Sequence, residues 1–190
     1  MSDNPWLSQP SLPELPPTAD EESAAEPAVW AAGAEVGDVE PLATFEVGEG
    51  AGFFVMGAHG GAGTSTLAAL LDAADAGTRW PTPTTGDVRV LVAARTSAYG
   101  IARAQEKARQ WASGALPGVE LVGVAWVADA PGRLPRSLRE QVALVSGAFP
   151  VTVSVPWEGS WRTDAAPSGA APHQIVRALS SVPGYRKESR

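Results

Sequence analysis

The stretch Gly52-Phe-Phe-Val-Met-Gly-Ala-His-Gly-Gly-Ala-Gly-Thr-Ser-Thr-Leu-Ala-Ala-Leu-Leu71 decides how the rest of the chain is read. An apolar run from Phe53 to Met56 stops at Gly57, and a glycine-rich turn comes next. Leu67, Leu70, Leu71 and Ala74 then recur at helical spacing. The pattern predicts a strand over 52–57 and a helix over 64–75. In such a layout the backbone N–H groups at the head of the helix converge on an anion, and the helix dipole adds to the attraction. Gly60, Gly61 and Gly63 suit that turn, which needs positive φ and a close backbone approach that a Cβ obstructs. The competing reading is an ordinary strand-to-helix turn with no ligand.

The phosphate-loop pattern G-x-x-x-x-G-K-[ST] needs a lysine where this chain has Thr64, and its first glycine falls on Ala58. The wording His59-Gly-Gly-Ala-Gly-Thr-Ser-Thr66 instead resembles the deviant Walker A loop of the ParA/MinD family, K-G-G-x-G-K-[ST]-T. Gly60, Gly61, Gly63, Ser65 and Thr66 agree, and Ala62 fills the free position. His59 replaces the signature lysine and Thr64 the phosphate lysine. The resemblance implies a small three-layer P-loop-NTPase-like (Rossmann-like) α/β fold with a mostly parallel sheet. It also implies His59 to Thr66 as nucleotide- or phosphate-binding residues, and Ser65 as a Mg²⁺ ligand if Mg-nucleotide binds.

Further along, Val90-Leu-Val-Ala-Ala-Arg-Thr-Ser97 is similar to the family's strand after the switch region. Val122-Gly-Val-Ala-Trp-Val-Ala-Asp129 is similar to the strand that ends in an adenine-contacting asparagine, with Asp129 as the nearest counterpart. Val153-Ser-Val-Pro-Trp-Glu158 resembles the strand leading to a nucleobase loop. Arg133, in a cluster with Arg136 and Arg139, is a second candidate for phosphate contact, against the simpler reading of solvated surface.

The departures bear on catalysis. The family carries a Walker B aspartate on a strand between the loop helix and the equivalent of Val88. Here a dozen residues separate Asp75 from Val88, and none reads as a strand ending in that acid. A charge-assisted hydrogen bond contributes roughly 1.5–3 kcal/mol, so losing the lysine costs about ten- to a hundredfold in phosphate affinity. The backbone amides and the helix end survive, so a loss of that size is compatible with residual binding. Hydrolysis needs cation and metal on the transferring phosphoryl group, so ATPase activity is not expected and no residue is assigned as catalytic. No resident cofactor is expected; ATP with Mg²⁺ is the ligand that the resemblance implies.

Charge divides the chain. Residues 1–50 hold eleven Asp/Glu and no Lys/Arg, whereas residues 51–190 hold ten acids and fourteen bases. An acidic, Pro-rich arm over 1–45, read as disordered, therefore precedes a mildly basic α/β domain over 46–184 and a frayed basic tail over 185–190. The arm reads either as a solvated tail or as a cover for the basic face. Its Trp6 and Trp30 are docking anchors for a partner, or pack on this chain's own body. With no Cys there is neither a disulfide nor a thiolate metal site. His59 and His173, the two histidines, have no acids at ligand spacing. No signal peptide is read, the uncharged run Gly50–Leu71 is broken by six glycines, and a cytoplasmic protein without membrane insertion is expected.

Leu42–Val47 alternates weakly and predicts an edge strand, while Trp80–Asp87, rich in Pro and Thr, reads as a break. Strands are predicted at Val88–Ala94, Leu121–Val127 and Val151–Val155. Between them a helix capped by Thr96 or Ser97 carries Ile101, Ala104, Ala108 and Trp111, and another carries Leu138, Val142 and Val145. Arg103, Lys107 and Arg109 fall off the first stripe and read as solvated. A last helix is placed around Gln174–Leu179. This alternation implies a parallel sheet covered on both faces, with ligands at the carboxyl ends of its strands. That rule groups the turns His59–Thr66, Arg95–Ser97, Asp129–Arg133 and Trp157–Arg162.

The expectation is a catalytically silent P-loop-like scaffold or adaptor, held by protein partners in a larger assembly that partitions, secretes or transfers DNA. Direct contact with nucleic acid is not expected. Two alternatives stand beside it: a switch gated by nucleotide or phosphate at the glycine loop, and an ATPase completed by a partner subunit.

Overall fold

A computed structural model describes residues 42–48, 52–162 and 177 of the chain. They all fall in one compact unit, Glu40–Arg190. The arm with Trp6 and Trp30, the last helix apart from Arg177, and the basic tail lie outside the described residues. In chain order the elements are β1 (Thr44–Val47), β2 (Phe53–Gly57), α1 (Thr64–Leu71), β3 (Ala74–Asp75), β4 (Trp80–Pro83) and β5 (Val88–Arg95). Then come α2 (Ala98–Ala112), β6 (Val119–Val127), α3 (Arg136–Ser146), β7 (Thr152–Val155) and a short 3-10 turn (Gly159–Arg162).

The protein is α/β. Five strands in the order β3-β2-β5-β6-β7 form a parallel sheet, and β1 pairs parallel with β4 in a second, two-stranded sheet. β5 and β6 run through the centre as almost uninterrupted apolar strands, as burial on both faces demands. Leu67, Ala68 and Leu71 of α1 pack against Leu91, Ala93, Ala125 and Val153 on one face. Ile101, Ala104 and Ala108 of α2 and Val145 of α3 pack against Val90, Val92, Ala94 and Trp126 on the other. Ser97 caps α2 by accepting from the Gly100 N–H at 3.2 Å, as its position before the apolar stripe predicts. No helix of the described residues is long and apolar enough to cross a membrane.

β6 carries one irregularity. Its pairing register with β5 slips between Val90 and Leu91, so that Val122 is the extra residue. Leu121 therefore faces the α2 side, and beyond the slip so do Val124 and Trp126. Gly123 follows the extra residue, and a Cβ there would collide with the Val151 carbonyl at the entry to β7.

Three expectations are corrected. The first helix stops at Leu71, not at 75, because Asp72 turns left-handed (φ 53°) and its N–H closes on the Ala68 carbonyl. Ala74 and Asp75 then leave the helix and pair with β2. The Pro/Thr segment is a strand rather than a break. Trp80 N–H donates to Ala43 O (2.9 Å) and Thr84 N–H to Val47 O (3.1 Å), so Pro81 and Pro83 take alternate positions that spare the ladder. Lys107 is only 5% exposed; its ammonium donates to Thr78 O and Gln110 Oε1, both at 3.3 Å. β1, by contrast, is the edge strand predicted over 42–47, and it straddles the boundary drawn at 45/46.

Candidate functional site

The glycine turn is built between two anchors. Gly57 N–H donates to Gly77 O (2.7 Å) and Ala58 N–H to Ala93 O (2.8 Å), tying the end of β2 to the chain on either side. Gly61 (φ 76°) and Gly63 (φ 92°) take the left-handed conformation that a side chain resists. Gly57 is needed for space, since a Cβ there would strike Thr64 Oγ1. Gly63 is the N-cap of α1 and no side chain caps that helix, so its first N–H groups have no partner within it. Above them opens a cavity of about 380 Å³, lined by Gly60, Gly61, Gly63, Thr64, Ser65 and Thr66 together with Asp75 and Arg95.

Asp75 overturns one expectation. A strand ending in an acid does come after α1: it is β3, two residues long, lying beside β2 with Val55 opposite Asp75. Ser65 Oγ donates to Asp75 Oδ2 at 2.5 Å, and Gly77 N–H donates to Oδ1 at 2.8 Å. Both side chains are exposed at the cavity. A hydroxyl and a carboxylate in contact are hard oxygen donors of the kind Mg²⁺ takes alongside phosphate oxygens. Among the described residues no three His, Cys, Asp or Glu side chains cluster as a ready metal site.

His59 is turned inward, 9% exposed, with both ring nitrogens engaged. The Arg95 N–H donates to Nε2 (3.2 Å), and Nδ1 lies 2.8 Å from Gly60 O, which assigns the ring proton to Nδ1. Tyr99 packs edge-on against the ring with centroids 5.3 Å apart. His59 thus ties the loop to the β5–α2 junction. Gly100 gives it room there, for a Cβ would collide with Arg95 O and approach Nε2 to 3.0 Å.

Arg95 is the cation of the site. It ends β5, its Nε donates to Gly61 O (3.1 Å) and its Nη1 to Ala128 O (2.8 Å). The guanidinium therefore joins the glycine loop to the chain leaving β6. It also borders a second, much smaller cavity of about 50 Å³ beneath Trp157 and Trp161.

The four turns grouped from sequence do gather at the carboxyl ends of β2, β5, β6 and β7. They do not form one site. Asp129 and Arg133 line a separate cavity with Thr96, Ser97 and α3, away from the His59–Thr66 loop. Sequence reasoning missed Asp75 and reached Arg95 only as part of a grouped turn; they end β3 and β5, the two strands that flank β2. Asp75 had one available signal: an acid ten residues after Ser65, a spacing that an eight-residue helix and a tight turn can close.

Residues 51–182 match the model of a family of unknown function, DUF6668. The chain belongs to that family. The matched span takes in the glycine loop, Asp75, Arg95 and every element from β2 onward. No curated protein and no solved structure matches the chain.

Proposed function

We propose that this member of DUF6668 is a P-loop-like module that binds a Mg²⁺-bound phosphate group, nucleotide or inorganic, at the His59–Thr66 loop without hydrolysing it. The bound state changes its grip on a protein partner in a larger assembly. The observation that carries this reading is Ser65 held on Asp75 at the mouth of the uncapped α1. An acid beside a phosphate site opposes the anion unless a cation offsets it, so the pair makes sense as the residues that would hold Mg²⁺ and thereby favour phosphate. Arg95, within the same cavity, supplies positive charge that the absent lysine does not. Thr64 in the lysine's place and the inward His59 leave no ammonium to track the transferring phosphoryl group, which favours binding over turnover.

A second reading, a silent scaffold, draws on the loop's own satisfaction: Arg95 and His59 already hold Gly61 O and Gly60 O. Titration of the full chain with labelled ATP, ADP and GTP and with tripolyphosphate, in Mg²⁺ and then in EDTA, separates the two. Saturable binding that weakens sharply in EDTA supports the switch. Absence of binding at millimolar ligand leaves the scaffold, and steady phosphate release from ATP would overturn both.

A further inference from the structure

The largest cavity among those described is not the glycine-loop cavity. It measures about 620 Å³ and lies at the carboxyl ends of β6 and β7, against the first half of α3. The two share no lining residue. Its floor is Trp126, brought to this face by the register slip at Gly123, with the indole N–H fixed on Ser146 Oγ at 2.9 Å. Its wall is the apolar stripe of α3. Val145 and, beyond the helix, Phe149 are buried in the core, but Leu138 and Val142 are only half-buried and line the opening instead. α3 is therefore seated at its C-terminal end and stands off the sheet at its N-terminal end. The Asp129–Pro135 turn roofs the gap, and the head of α2 closes its side.

Size and chemistry both bear on the occupant. A volume of about 620 Å³ lies within the range of small-molecule pockets, and closure by sheet, helix and turn suits a compact ligand rather than a long peptide. The lining is mostly apolar. Of its charged groups, Arg133 in the roof and Arg139 on α3 outnumber the single acid, Asp129. Arg136, the neighbouring cation, is engaged by Glu140 at 2.7 Å. An apolar floor beneath two cations is complementary to a ligand with an apolar body and an anionic head.

We propose that this cavity binds a small amphipathic anion, an acyl or aryl chain bearing a carboxylate. The chain lies over Trp126 against Leu138 and Val142, and the head group meets Arg133 and Arg139. The argument for this ligand does not rest on phosphate binding at the glycine loop.

Calorimetric titration of the full chain with decanoate and with decanol tests this. Decanoate binds saturably at one site and about tenfold or more tighter than decanol, the margin a charge-assisted contact provides. Reversing both surface charges, R133E with R139E, removes that margin and leaves decanol binding as it was. Val142→Trp fills the gap and abolishes both, with far-UV circular dichroism as the check on folding. If that variant fails to fold, the surface double variant still decides. Lack of saturable decanoate binding, equal affinity for decanol, or an unchanged margin in R133E/R139E overturns the proposal.

Discussion

At Asp75 a single carboxylate accepts from both the Ser65 hydroxyl and the Gly77 amide, and its charge faces the glycine loop. Asp75→Asn keeps the shape and removes the charge. On the proposed reading, phosphate binding in Mg²⁺ weakens about tenfold or more, while the weak binding left in EDTA improves because a repelling anion is gone. The same titrations check both signs, and a loss of equal size in EDTA would make Asp75 a purely structural group. Gly100 offers a test of the scaffold that does not involve ligand. Gly100→Ala drives a methyl into the Arg95 carbonyl and crowds His59, so urea unfolding is expected to show a loss of about 1–3 kcal/mol, the usual range for overpacking. The glycine loop was legible from its residues alone. Arg95 was reached only through its turn and Asp75 not at all, since a residue's neighbours across a sheet are chosen by strand order and not by spacing along the chain.

The elements best read from sequence were those with a full period to display. β5, β6 and α2 each present eight or more residues of consistent patterning, and each appears where it was expected. β3 has two residues and can show no period at all. β4 was hidden by its prolines, which usually mark breaks and here occupy rungs that need no N–H. The misread Lys107 is a consequence of β4. Buried Trp80 donates to Gln110 at 2.9 Å, and Lys107 reaches Thr78, so the segment around β4 covers a flank of α2 that its own periodicity assigned to water. Trp80→Ala is accordingly expected to cost about 3–5 kcal/mol in chemical denaturation. Leu144→Ser on α3, where the side chain is 78% exposed, is expected to stay within about 0.5 kcal/mol. Similar losses for the two would contradict this division of the core.

For the whole molecule, the sequence-based layering of strands and helices held, and the turns grouped at the carboxyl ends of the strands line separate cavities rather than one crevice. The alternation of elements carries no record of how far α3 stands off the strands, nor of the slip at Gly123, so neither was visible beforehand. The N-terminal limit of the fold is also testable. Phe45 of β1 packs edge-on against Phe54 with centroids 6.4 Å apart, and Arg79 lies 5.2 Å from its ring centre. A chain beginning at residue 52 should therefore melt several degrees below one beginning at residue 42, by scanning calorimetry. Equal melting temperatures would show that β1 contributes nothing.

The guanidinium of Arg95 spans two backbone oxygens, one in the turn after β2 and one at the exit of β6. An incoming anion that draws this side chain toward itself must loosen one of those two ties, so the segment leading into Asp129 would register an event in the glycine turn. Thermodynamic reciprocity then runs the message backward as well: whatever rearranges the chain after Ala128 alters, by the same factor, how firmly the turn holds its guest. A single arginine would make two crevices that share no lining residue answerable to each other.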